Sequence, residues 1–177
     1  MHIAMRNIVS NSETINLIFR CVSWQVPNLK NLVQTIEQAK TAIDAGAGFI
    51  VFPGFSEKVI EYCLDRAILV TPGVCTPTDI QRALELGLNL LKFFPAEAAG
   101  GLKNLKAICA PYTMMTFIPS GGINPKNLGD YLVHPQVPAV GGSWMVTSKL
   151  ISDRQFDDIT QLTQEALTLA ATVSSGG

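Results

Sequence analysis

Residues 67–97 read AILVTPGVCTPTDIQRALELGLNLLKFFPAE, and the order of residue types in them decides the fold class. A short apolar run, Ala67–Val70, is closed by Pro72-Gly73, residues that end strands rather than extend them. The spacing then predicts a helix over Thr76–Leu86, with Pro77 in its first turn and Thr76 or Thr78 as its cap. A second apolar run, Leu88–Phe94, stops at Pro95-Ala96-Glu97. Strand, helix and strand at this spacing make one parallel βα unit.

The same rhythm continues on both sides. Upstream, a helix is expected over Gln34–Ala45, with Gly46 just past its end. A strand over Phe49–Phe52 follows, closed by Pro53-Gly54, and then a helix over Ser56–Asp65 with Ser56 as candidate cap. Downstream come a helix over Leu102–Cys109 and a strand over Met115–Pro119 that ends in Ser120-Gly121-Gly122. A short helix from about Pro125 leads to a strand over Val137–Val140, which ends in Gly141-Gly142-Ser143. The last helix is expected over Asp153–Ala171, and residues 172–177 are expected to fray. The chain therefore reads as one domain: an atypical lead-in over residues 1–33, βα units over 34–171, and a short tail.

The turn markers Pro53, Pro72, Pro95, Pro119 and Gly141 recur at intervals of 19, 23, 24 and 22 residues. Two architectures accept such units, an open doubly wound sheet and a closed (β/α)8 barrel of the TIM type. The barrel is favoured because special residues mark the carboxyl end of every strand, where a barrel builds its site. An open sheet concentrates them at one crevice, and no GxGxxG dinucleotide fingerprint is present.

Composition agrees. The 177 residues are 47% hydrophobic and 15% charged, as strands buried on both faces require. No segment reaches the roughly 18 uncharged apolar residues of a membrane span, and no signal peptide is recognisable at the start. A net charge of −1 with dispersed Lys and Arg leaves nucleic acid no electrostatic footprint. Cys21, Cys63, Cys75 and Cys109 lack CxxC spacing and read as reduced thiols of a cytoplasmic protein. With only His2 and His134, a histidine-rich metal site is not expected.

Lys92 is the residue out of place. An ammonium inside a dry strand is costly unless it is paired or loses its proton, and a neutral buried amine can attack a carbonyl. Phe93 and Phe94 would help to exclude water. By spacing alone, a lysine snorkelling at a strand edge or pairing with Glu97 explains the pattern as well. The pairs Gly121-Gly122 and Gly141-Gly142, each flanked by a serine, suit backbone N–H groups approaching a phosphate, with a following helix start adding its dipole. Pro53 and Pro72 could shape the mouth of the site. Trp144 reads as core or as a wall of the phosphate pocket, Cys75 has no histidine nearby in sequence, and His134 reads as a solvated loop residue.

With these residues in view, the run Leu91-Lys92-Phe93-Phe94-Pro95-Ala96-Glu97 closely resembles the active-site strand of the 2-keto-3-deoxy-6-phosphogluconate / 4-hydroxy-2-oxoglutarate aldolase family. Ala45-Gly46-Ala47 through Phe52-Pro53-Gly54-Phe55, Thr71-Pro72-Gly73-Val74, Pro119-Ser120-Gly121-Gly122-Ile123 and Gly141-Gly142-Ser143-Trp144 also match in order and spacing. The resemblance implies a (β/α)8 barrel, usually a homotrimer, and a class I carbon–carbon lyase of the Entner–Doudoroff pathway. Such an enzyme cleaves its keto acid to pyruvate and glyceraldehyde 3-phosphate, or to pyruvate and glyoxylate, with no metal or organic cofactor. By resemblance Lys92 forms the imine, Ser120 contacts substrate, and Gly121, Gly122, Gly142 and Ser143 cradle the phosphate. Pro53 and Phe94 would line the pocket.

The first third departs from the family. A Glu-x-x-x-Arg pattern is implied there, the glutamate as general acid/base and the arginine on the substrate carboxylate. Laid on Met1–Ile15, that pattern puts Arg6 at the arginine and His2 at the glutamate, and the first βα unit has no counterpart. The barrel is therefore expected to be incomplete at its amino-terminal end, closed by residues 1–5 and a strand near Leu29–Val33 or covered by neighbours in an oligomer. His2 or Glu97 would have to move the protons. The altered start also admits a descendant that binds phosphate or keto acid without turnover. Another phosphate-binding barrel, such as an isomerase, would not need Lys92 in its full motif.

Overall fold

The structure is a computed structural model that describes residues 33–174 and the backbone of His2–Met5. Among these residues there are seven strands and seven helices, alternating except where β3 runs into β4 and the last two helices follow one another. Strand β1 (His2–Met5) comes first, and then helix α1 (Ile36–Asp44) opens the βα series. It continues with β2 (Phe49–Val51), α2 (Glu57–Leu64), β3 (Leu69–Thr71), β4 (Gly73–Val74) and α3 (Pro77–Glu85). After them come β5 (Leu90–Phe93), α4 (Gly101–Cys109), β6 (Thr116–Pro119), α5 (Leu128–Leu132), β7 (Ala139–Gly142), α6 (Ser148–Ser152) and α7 (Phe156–Ser174).

The helices begin where side chains can accept from the first free N–H groups. Thr35 caps α1 by accepting from Gln38 N while the Gln38 side chain accepts from Thr35 N. Thr76 and Asp79 repeat this reciprocal pair at α3, where Pro77 takes the first helical position and lacks the N–H that would go unused. Each such cap stabilises by about 0.5–2 kcal/mol. Ser56 precedes α2 without making the side-chain bond expected of it. Helix α6 answers to no apolar periodicity; Thr147 starts it by accepting from Leu150 N. Helix α7 runs to Ser174, beyond the point where fraying was expected.

Parallel pairs β2–β3, β4–β5 and β5–β6 build the wall, and a parallel bridge from Ser120 to Gly141 carries it on to β7. Pro72, which has no N–H to donate, divides β3 from β4. In-register partners share a face and alternate residues switch faces, so the two sides of the wall can be assigned. One side carries Ile50, Val70, Leu91, Phe93, Phe117 and Val140, all buried in a single cluster with helix residues such as Ile60, Ile80, Leu105 and Leu132. Each large apolar side chain fully buried there contributes roughly 1.5–3 kcal/mol. The other side carries Val51, Ile118 and Ala139, which are buried but lie outside that cluster. It is the inner face of the wall.

β1 runs antiparallel to β7, with His2 opposite Gly142 and Met5 opposite Ala139. Residues 2–5 thus cover the free edge of β7, but in the direction opposite to a βα barrel strand. That corrects the expectation that this segment stands in for a parallel strand of the family. Val33 is buried and belongs to no strand. Arg6, Cys21 and the rest of the strand expected near Leu29–Val33 lie outside the described residues.

Candidate active site

Lys92 sits near the carboxyl end of β5, opposite Gly73 on one side and Ile118 on the other. Its side chain is 1% exposed, which excludes the snorkelling alternative. Pairing with Glu97 is not how that carboxylate is engaged: Glu97 Oε1 accepts from the Tyr131 hydroxyl at 2.5 Å. The Lys92 Nζ lies 4.4 Å from the centroid of the Phe94 ring, close enough for cation–π attraction of the ammonium form. Phe94 therefore walls the amine. Phe93 does not, because the pleat turns it to the helix side, where it is fully buried.

Thr71 lies two residues before Gly73, and Ser120 two residues after Ile118. Both consequently share the inner face with Lys92, one on each flanking strand. Thr71, Lys92 and Ser120 are the three buried polar or charged side chains among the described residues. The register thus sets two hydroxyl-bearing residues on the same face as one amine. Thr71 was not singled out by sequence reading; its signal was its place in Thr71-Pro72-Gly73, which only the register turned toward Lys92.

The glycine turns lie at the same strand ends, and they differ from one another. Gly121 and Gly122 both adopt left-handed backbone, φ +96° and +86°, which side chains other than glycine's rarely tolerate. Gly121 packs on the Phe94 ring, 3.2 Å from where a Cβ would stand, and Gly122 packs on the Glu97 side chain. Gly142 is needed for another reason: a Cβ there would lie 1.8 Å from the ring of Trp144, a half-buried residue packed against the core. Ser143 is exposed and Pro53 half-buried at the ends of β7 and β2. A following helix start meets only one of the pairs: α5 starts at Leu128 and its N-cap residue, Asn127, donates Nδ2 to Gly122 O at 3.2 Å, whereas α6 starts only at Ser148.

The remaining candidates fall outside this group. Cys63 and Cys109 are buried in the core, and burial pushes both thiols up. Cys75 is half-buried and its N–H donates to Asp79. His134 is half-buried rather than freely solvated; its Nδ1 accepts from Gln136 N, and burial with the nearby Lys106 holds its pKa down. Among the described residues no three His, Cys, Asp or Glu side chains gather as a metal site would need.

A wall of parallel βα units with a lysine buried on its inner face defines an α/β, TIM-barrel-like protein whose site offers an amine. The family model for KDPG and KHG aldolase matches residues 10–162. A 2-dehydro-3-deoxy-phosphogluconate aldolase of Treponema pallidum (strain Nichols) is 46% identical over 135 residues, 76% of this chain and 64% of that protein. The KHG/KDPG aldolase of Escherichia coli (strain K12) is 36% identical over 84% of this chain and 71% of its own length. Among solved structures, KDPG aldolase from Legionella pneumophila, with pyruvate captured at low pH as a covalent carbinolamine, superposes with a TM-score of 0.72. That likeness has 37% identity and covers 77% of this chain and 65% of that one. The Zymomonas mobilis ZM4 aldolase with 3-phosphoglycerate gives a TM-score of 0.69 at 32% identity, covering 78% and 64%. The chain belongs to the KDPG/KHG aldolase family. It spans 64% of the length of the Treponema pallidum relative.

Proposed function

We propose that the chain is a class I aldolase, a carbon–carbon lyase that cleaves 2-keto-3-deoxy-6-phosphogluconate to pyruvate and glyceraldehyde 3-phosphate. By the same chemistry it would cleave 4-hydroxy-2-oxoglutarate to pyruvate and glyoxylate. The observation that carries this reading is Lys92, 1% exposed on the inner face with Thr71 and Ser120 on the adjoining strands. Its neutral amine adds to the keto carbon and water leaves, giving an imine. A base takes the proton of the hydroxyl beside the breaking carbon–carbon bond, the protonated imine takes up that bond's electron pair, and the hydroxyl-bearing carbon departs as the aldehyde. Protonation of the resulting enamine and hydrolysis of the imine then release pyruvate and restore Lys92.

Gly121, Gly122, Gly142 and Ser143 are assigned to the phosphate, Ser120 to the keto acid, and Pro53 and Phe94 to the pocket wall. Arg6 would hold the carboxylate, as the resemblance implies. The Legionella structure with pyruvate and the Zymomonas structure with 3-phosphoglycerate support a keto acid and a phosphorylated ligand for this site. By the same resemblance the protein works as a homotrimer in the cytoplasm, in the Entner–Doudoroff pathway.

One observation favours a second reading, a protein that binds these ligands with little turnover. The segment aligned with the family's acid/base glutamate carries His2, on a strand antiparallel to β7. Loss of general acid–base help lowers rates on the order of 10²–10⁴-fold. Borohydride trapping with pyruvate, followed by mass spectrometry, tests the imine. An adduct is expected on Lys92 and is expected to vanish in Lys92→Ala; a folded chain that forms none refutes the aldolase reading. Pyruvate release then separates turnover from binding.

A further inference from the structure

Building on the phosphate site of that reading, we infer that Glu97, Tyr131, Asn124 and Asn127 are positioning residues. They hold the Gly121-Gly122 turn as an anion cradle and so set the affinity for the phosphorylated end of the substrate. Every carbonyl of the turn is tied from behind. Ser120 O accepts from Ala96 N at 2.8 Å and Gly121 O from Glu97 N at 3.0 Å. Gly122 O accepts from two carboxamides, Asn124 Nδ2 at 3.1 Å and Asn127 Nδ2 at 3.2 Å.

In a planar trans peptide the carbonyl of one residue and the N–H of the next point in opposite directions. Tying these three carbonyls therefore points each following N–H, of Gly121, Gly122 and Ile123, away from the group that holds its own carbonyl. The bridge between Ser120 and Gly141 directs the Gly121 N–H toward β7, while among the described residues Gly122 and Ile123 donate no hydrogen bond. Successive N–H groups aimed one way form a concavity suited to an oxyanion. Asn127, the N-cap residue of the short helix α5, is one of these braces, so the shape of the turn depends on the side chains that hold it.

Those side chains are themselves fixed. The Glu97 Cβ and Cγ stand 2.6 Å from where a Gly122 Cβ would be, so the side chain forms the floor of the turn. Its carboxylate is held at 2.5 Å by the hydroxyl of Tyr131, a fully buried residue of α5. Burial and the carboxylate push the phenol above its ordinary range, so the hydroxyl keeps its proton and stays a donor. Asn127 Oδ1 accepts from Asn124 N at 2.8 Å, and Asn124 Oδ1 from Lys126 N at 2.9 Å. These bonds occupy both amide oxygens and leave the two NH₂ groups on Gly122 O.

The test measures binding of glycerol 3-phosphate to the full chain by calorimetry, beside the rate of pyruvate–borohydride labelling at Lys92. Tyr131→Phe, Glu97→Ala and Asn127→Ala are each expected to weaken glycerol 3-phosphate by about three- to tenfold, the effect of one net hydrogen bond. Tyr131→Phe and Asn127→Ala should label with pyruvate at the wild-type rate. Glu97→Gln retains an acceptor for Tyr131 and should bind within about twofold of wild type. In turnover, KM for the phosphorylated substrate rises, while kcat and KM for hydroxy-oxoglutarate hold. A wild-type chain that binds no glycerol 3-phosphate, or a Tyr131→Phe variant of undiminished affinity, overturns the inference. So does a parallel loss of pyruvate labelling and phosphate affinity, which would mark general damage. If wild type resists pyruvate labelling yet the variants lose glycerol 3-phosphate as expected, the aldolase reading falls and the cradle stands.

Discussion

Gly73→Ala probes the closest approach between strands at the site. A Cβ on Gly73 would stand 2.0 Å from the carbonyl oxygen of Pro53, 2.3 Å from its carbonyl carbon and 2.9 Å from Gly54 N. Non-bonded carbon contacts settle at about 3.5–4.0 Å, so the two segments would have to part by more than about 1 Å. All three opposing atoms are backbone, and no rotamer change relieves the contact. Parting them pulls on Gly73 N to Gly54 O at 2.9 Å and Phe52 N to Thr71 O at 3.4 Å. Overpacking typically costs about 1–3 kcal/mol, and each lost hydrogen bond about 0.5–1.5 kcal/mol. The sum is about 2–6 kcal/mol, a large share of the roughly 5–15 kcal/mol that holds a domain together. At roughly 2–4 °C per kcal/mol, a cost near 4 kcal/mol lowers Tm by about 8–16 °C. Urea titration followed by circular dichroism measures it as a fall in midpoint at constant slope. Gly54→Ala is the control: a Cβ there meets nothing within 4 Å, and its effect should stay within about 0.5 kcal/mol. A Gly73→Ala cost below about 1 kcal/mol, or a control equally damaged, would refute the close approach.

Two further outcomes test regions away from the glycines. His134 has its pKa held below the ordinary value, first by burial and then by Lys106, so between that depressed value and about 6.5 the unfolded chain binds more protons. Stability should therefore fall as pH drops below about 6.5, more in wild type than in His134→Asn, and an NMR titration should put the imidazole below 6.5. An unshifted imidazole would remove the effect. Gln136→Ala deprives the carbonyls of Tyr112 and Met115 of their shared donor, at 2.9 and 3.0 Å. A loss of about 1–3 kcal/mol in urea titration is expected, and no loss would show that water replaces the amide without cost.

Apolar runs punctuated by proline and glycine revealed the βα alternation because backbone chemistry at strand ends is local. Thr76 and Pro77 announce α3 from sequence for the same reason: cap and first turn involve neighbours in the chain. Local cues ran out at α6, which lacks an apolar stripe, and at the start of β3. There Ala67 takes left-handed backbone, φ 54°, and the strand begins at Leu69. Phe93 shows a further limit. Leu91, Lys92, Phe93 and Phe94 are apolar on both faces but for one residue, so the run carries no phase to say which ring sees the amine.

For this protein the sequence alone determined the succession of elements, the family resemblance and the lysine at its centre, since each rests on residue type and spacing along one chain. Tertiary structure decided what surrounds that lysine. Thr71 and Ser120 reach the Lys92 face only through strand register, and Glu97 turns from a partner for Lys92 into the floor of the glycine turn through Tyr131, 34 residues away. It also set His2–Met5 antiparallel to β7. Pairings between distant strands are chosen by packing and hydrogen bonding across the whole wall, and no local pattern encodes their direction.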